Sequence, residues 1–136
     1  MNTGKLSLLG VVVIVIAAIV AGLVISGSPT EQRRLRADDR RVSDLQQLAR
    51  AIQRYYVETE GLPGELDALV NGWISSGLPH DPDTEAEYDY EITGGSTFRL
   101  CAEFARESRA NAQSEFWSHG AAHHCYLLDF SELVLD

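Results

Sequence analysis

Apolar residues are not spread evenly along this chain. They form one solid block and then a series of periodic stripes. Leu8 to Ile25 is an unbroken run of 18 residues drawn only from Leu, Ile, Val, Ala and Gly, and no charge appears between Lys5 and Glu31. At ~1.5 Å per helical residue against a hydrocarbon core of ~30 Å, Leu6 to Ser26 is long enough to cross a bilayer as one helix. The run is longer than the ~7–15 apolar residues of a signal peptide, and Val24-Ile25-Ser26-Gly27-Ser28 is a poor cleavage site, so an uncleaved anchor is expected. Ala18 and Gly22 form a small-xxx-small pair at which another helix can approach closely.

The pattern changes at Gly27-Ser28-Pro29-Thr30. Ser28 and Glu31 match a capping box, and Pro29 falls on the first helical position, where its missing N–H costs nothing. Leu35, Val42, Leu45, Ala49, Ile52 and Tyr56 then recur three, four and seven residues apart, which predicts an amphipathic helix ended by Gly61 and Pro63. A short helix is expected over Pro63 to Val70 and a loop over Leu78 to Thr84, where Pro79 and Pro82 favour extended backbone. Tyr88 to Ile92 alternates apolar and acidic residues as a half-exposed strand does. Thr93 to Ser96 reads as a hairpin turn, Phe98 to Phe104 as the returning strand, and Cys125 to Phe130 as a third strand after a long loop or irregular helix over residues 105–120. The expected class is α+β: an anchor over residues 1–27, then a domain over 28–136 in which a helix packs on a small antiparallel sheet.

Charge sharpens this picture. The formal net charge is −9, and residues 31–54 hold seven arginines against Glu31, Asp38, Asp39 and Asp44, whereas residues 55–136 hold three arginines against sixteen carboxylates. An acidic globular part excludes nucleic acid, whose phosphates require a basic footprint. The basic stretch reads as a solvated helix face with internal Arg–Asp pairs, placed where it can also meet lipid headgroups. Five arginines shortly after the span, against Lys5 and the amino terminus before it, place the C-terminal part in the cytoplasm by the positive-inside rule.

The ordered series of motifs points the other way. The apolar helix running into Val42-Ser43-Asp44-Leu45 is followed by Ala51-Ile52-Gln53-Arg54-Tyr55-Tyr56, then Gly61-Leu62-Pro63 and Leu78-Pro79-His80-Asp81-Pro82. Tyr88-Asp89-Tyr90 and Leu100-Cys101-Ala102 complete a series that resembles the type IV pilins and the pseudopilins of type II secretion. The resemblance implies an inner-membrane anchor and a globular part outside the cytoplasm, with other membrane or pilin-like proteins as partners. Gly4 stands where the family's leader glycine would be, with Lys5 after it as a possible processing site. Leu9, however, occupies the fifth mature position, where polymerising members carry Glu. A non-enzymatic, anchored relative that keeps the fold without the polymerisation is therefore expected, and a minor pilin subunit cut after Gly4 is a third reading.

Outside the cytoplasm the two cysteines, Cys101 and Cys125, read as a disulfide. Closing that loop contributes about 3.5 kcal/mol in the chain-entropy account. Two buried thiols are the plain alternative. A sharper one is zinc, because His119, His123 and His124 crowd toward Cys125 and Cys101 can complete a tetrahedral set; such a site would make the chain a membrane-tethered sensor or metal-binding module, whereas the plain reading of the run is surface histidines flanking a strand. Asp81, Asp83, Glu85, Glu87 and Asp89 alternate in a way that can suit calcium, or form a solvated acidic edge that discourages strand pairing. No nucleophile elbow and no Gly-rich phosphate loop occurs in the sequence.

Overall fold

A computed structural model describes residues 3–26, 28–70, 72–108 and 115–131. Its elements are helix α1 (Thr3–Ser26), helix α2 (Pro29–Thr59), and strands β1 (Asp89–Ile92), β2 (Thr97–Phe104) and β3 (Ala122–Asp129), with short 3₁₀ turns at Leu66–Leu69 and Glu115–Trp117. The chain divides into two compact units, Met1–Arg34 and Leu35–Asp136. The class is α+β.

In the first unit, α1 is long and apolar enough to cross a membrane. Its large side chains from Leu8 to Ile25 are all exposed, so this apolar surface is not covered by any of the described residues. Ala18 and Gly22 lie on one exposed face of α1. Gly4 and Lys5 belong to its first turns.

Ser28 caps α2, its Oγ accepting from the Glu31 N–H at 3.2 Å. The helix ends after Thr59, where Glu60 takes the left-handed conformation (φ 57°) and donates its N–H to the Tyr56 carbonyl. In the second unit α2 buries Leu45, Leu48, Ala49, Ala51 and Ile52 in a core with Leu69, Phe98, Leu100, Phe104, Tyr126, Leu128 and Phe130. Each of the larger side chains adds roughly 1.5–3 kcal/mol by leaving water. Phe98 is the hub, with ring centroids 5.0 Å from Phe130 and 5.7 Å from Tyr90.

The sheet is an antiparallel meander in the order β1-β2-β3. The β1–β2 turn is closed by the Thr93 and Gly94 N–H groups, both donating to the Thr97 carbonyl. A Cβ on Gly94 would meet the Thr97 hydroxyl, which would have to turn away to admit it. The helix expected over Pro63 to Val70 is only the 3₁₀ turn at Leu66–Leu69, and β1 begins one residue after Tyr88, whose hydroxyl is drawn to Asp44 at 2.9 Å.

Candidate functional site

Strand alternation decides which residues meet on the sheet. The Phe130 N–H donates to the Ser96 carbonyl, so the pair 96/130 is hydrogen-bonded and the odd-numbered β2 residues occupy non-hydrogen-bonded positions opposite β3. Phe98, Leu100, Ala102 and Phe104 point into the core with Tyr126 and Leu128. Arg99, Cys101 and Glu103 share the outer face with His123, Cys125, Leu127 and Asp129. On β1 the outer positions are Asp89 and Glu91, and Glu91 pairs with Arg99, whose Nε is buried with no hydrogen-bond partner among the described residues.

Cys101 and Cys125 lie directly opposite each other, Cα atoms 4.0 Å apart, and are joined by a disulfide. The bond thus staples the two strands on the outer face of the sheet and not in the core. The next cross-strand pair on that face is Glu103 with His123, both exposed. His123 Nε2 is 3.4 Å from Cys125 Sγ, and its other ring nitrogen faces the Glu103 carboxylate at 3.8 Å. The ligand atoms of Cys101, His123 and Cys125 all fall within 4.8 Å of one another. In the disulfide form neither sulfur carries the thiolate charge that a metal needs.

The other two histidines go elsewhere. His119 is buried with its ring stacked on Phe104 at 3.7 Å, and its backbone is tied to Ser108. His124 falls on the inner face against Tyr126, at 4.8 Å between centroids, and burial pushes its pKa below the usual histidine value. Period two puts His123 and His124 on opposite faces, so the run from His119 to Cys125 brings one imidazole to the cysteines, not three. Trp117 packs on Tyr126 at 4.8 Å and its carbonyl accepts from the Tyr126 hydroxyl, which holds the Glu115–Trp117 turn against the sheet. Phe116 beside it is exposed.

A second polar cluster lies between α2 and the 81–88 segment. Arg41 is buried and donates to Asp38 (2.8 Å), to both oxygens of Asp81 (2.5 and 3.0 Å) and to Asp83 (2.8 Å). Asp38 also accepts the N–H groups of Ala105 and Arg106, and Asp44 accepts from Arg40 and from the Tyr88 hydroxyl. Arg33, Arg34, Arg36, Arg40, Arg50 and Arg54 are exposed, as a solvated face requires, but at Arg41 the face gives way to a buried hub, because residues 38, 41, 45, 48 and 52 follow the helical repeat and the polar end of the stripe is covered too. The hub engages two of the five acidic residues weighed for calcium, Asp81 and Asp83. Glu85, Glu87 and Asp89 are exposed.

Arg41 holds the Asp81 carboxyl far below the usual carboxylate range through its hydrogen bonds, against the opposing effect of burial, with help from the Asp83 and Thr84 amides. A depressed folded value means that this stabilisation is complete above the unfolded pKa of ~3.9 and is lost as pH falls toward the folded one. Stability measured by denaturant titration should therefore drop between pH 4 and 2 more steeply in the wild type than in Asp81→Asn. Parallel profiles would refute the assignment.

Compared with known proteins, the chain matches no family model, no curated protein and no solved structure.

Proposed function

We propose that this chain is a single-span, membrane-anchored and non-enzymatic protein. Its globular unit would act outside the cytoplasm as a scaffold or interaction component of an envelope, secretion or pilus-related assembly. The observation that carries the reading is the disulfide between Cys101 and Cys125 in a unit that follows an apolar helix with no charge from Leu6 to Ser26. Disulfides persist in oxidising compartments, and the strand register supports a bond of structural kind by placing the two cysteines face to face. A helix packed on an antiparallel sheet is also what the resemblance to the pilin-like proteins implies. In this reading α1 stays in lipid, the arginine-rich start of α2 is an exception to the positive-inside rule, and the acidic unit meets its partners in the periplasm.

The test is thiol labelling of the full-length protein in intact cells with a membrane-impermeant maleimide, before and after reduction. Labelling of both cysteines only after reduction is the expected result. Cysteines that stay unlabelled until lysis and then react without reductant would place the unit in the cytoplasm and overturn the reading.

A further inference from the structure

Two successive cross-strand pairs on the outer face, Cys101/Cys125 and Glu103/His123, assemble a set of groups that the disulfide keeps silent. We propose that reduction of this disulfide opens a site for a thiolate-binding divalent cation of the zinc class. Cys101, Cys125 and His123 are the ligands, and Glu103 is the positioning residue behind the histidine. The inference goes beyond the anchored-scaffold reading and stands whichever side of a membrane the unit occupies.

Geometry carries the argument. Around a tetrahedral zinc, a sulfur at ~2.3 Å and an imidazole nitrogen at ~2.0–2.1 Å lie about 3.5 Å apart. His123 Nε2 already sits 3.4 Å from Cys125 Sγ. Two thiolates on the same ion lie about 3.8 Å apart, a spacing that opposed strand positions with Cβ atoms ~4.5–5.5 Å apart can supply by side-chain rotation alone. The second nitrogen of His123 faces the Glu103 carboxylate at 3.8 Å, too far for a hydrogen bond as it stands but close enough for side-chain rotation to complete the carboxylate–histidine–metal arrangement that orients a ligating imidazole. Both sheet strands are already paired over their full length around these positions, so the ligands are held by backbone rather than gathered from loops. Three protein ligands leave the fourth position to water or to a group from outside.

The switching step balances with a dithiol as reductant. Two electrons and two protons pass to the Cys101–Cys125 bond, which breaks to two thiols while the reductant closes its own disulfide. Binding of the cation then forms two metal–sulfur bonds and releases the two thiol protons.

The experiment uses the full chain in detergent, oxidised or reduced with a phosphine that is removed before titration with cobalt(II) as the spectroscopic probe. The reduced protein should bind one equivalent and develop sulfur-to-cobalt charge-transfer and tetrahedral d–d bands, and the oxidised protein should show neither. His123→Ala should weaken binding by more than the ~10–100-fold typical of losing an outer partner, and Glu103→Gln by about that amount, while His80→Ala leaves it unchanged. If reduction unfolds the unit, cobalt or zinc should restore its circular dichroism, as metals do where binding drives folding. Equal binding by oxidised and reduced protein, indifference to His123→Ala, binding retained in Cys101→Ser/Cys125→Ser, or failure of metal to refold a reduced unfolded chain would each overturn the proposal.

Discussion

Arg41→Ala is expected to destabilise the second unit by about 3–5 kcal/mol, the cost of removing one partner from a buried ionic cluster. The substitution strips Asp38 and Asp81, both buried, of their only close cationic partner among the described residues. Against a total stability of ~5–15 kcal/mol this is a large fraction, and at ~4–8 °C per kcal/mol for a domain of about this size it lowers Tm by more than ~10 °C. Arg41→Lys should lie between, because an ammonium cannot reproduce the fork that reaches Asp38, Asp81 and Asp83 at once. A double-mutant cycle with Asp81→Ala should show the two losses overlapping by ~0.5–3 kcal/mol, since the second change removes a charge the first had orphaned. A loss below ~1 kcal/mol for Arg41→Ala, the value of an exposed pair, would mean that the cluster is open to water.

Phe98→Ala should cost about 3–5 kcal/mol as a large-to-small change in a closed core. Phe98 is fully buried and tilts against Tyr90 and Phe130, so its removal leaves a cavity bordered by aromatic rings. Leu127→Ala removes a side chain of similar character from the other face, where Leu127 is 60% exposed, and should stay within ~0.5 kcal/mol. Urea midpoints of the two variants measure the contrast. Comparable losses would show that the outer face is covered and that the two sides of the sheet are not distinct.

Much of this architecture was legible because apolar periodicity is enforced by burial. Leu45, Ala49 and Ile52 fall on the helical repeat and are buried, and Phe98 to Phe104 alternates as a strand with one face in the core. The same alternation puts Cys101 on the side of Arg99 and Glu103, so the outward position of the disulfide follows from parity once Phe98 is known to be buried. What resisted reading was polar burial. Asp38 and Arg41 extend the stripe of Leu45 and Leu48, yet charge in a helix ordinarily signals water, and nothing local reveals that Asp81, forty residues on, supplies the counter-charge. The histidine run misled for the converse reason: residues adjacent in sequence are placed on opposite faces by a strand, and His119 leaves the strand altogether to stack on Phe104.

The hub around Arg41 also constrains how this sequence can vary. Single exchanges at Asp38, Arg41 or Asp81 leave a buried charge uncompensated, whereas replacing members of such a cluster together by apolar residues of similar volume is often nearly neutral. Substitutions there are consequently coupled, and a lineage crosses between the ionic and the apolar version in concerted steps or not at all. Positions 38, 41 and 81 therefore form a joint signature, more informative read together than any one of them alone, by which a distant descendant of this fold can be told from a chain that merely shares its hydrophobic rhythm.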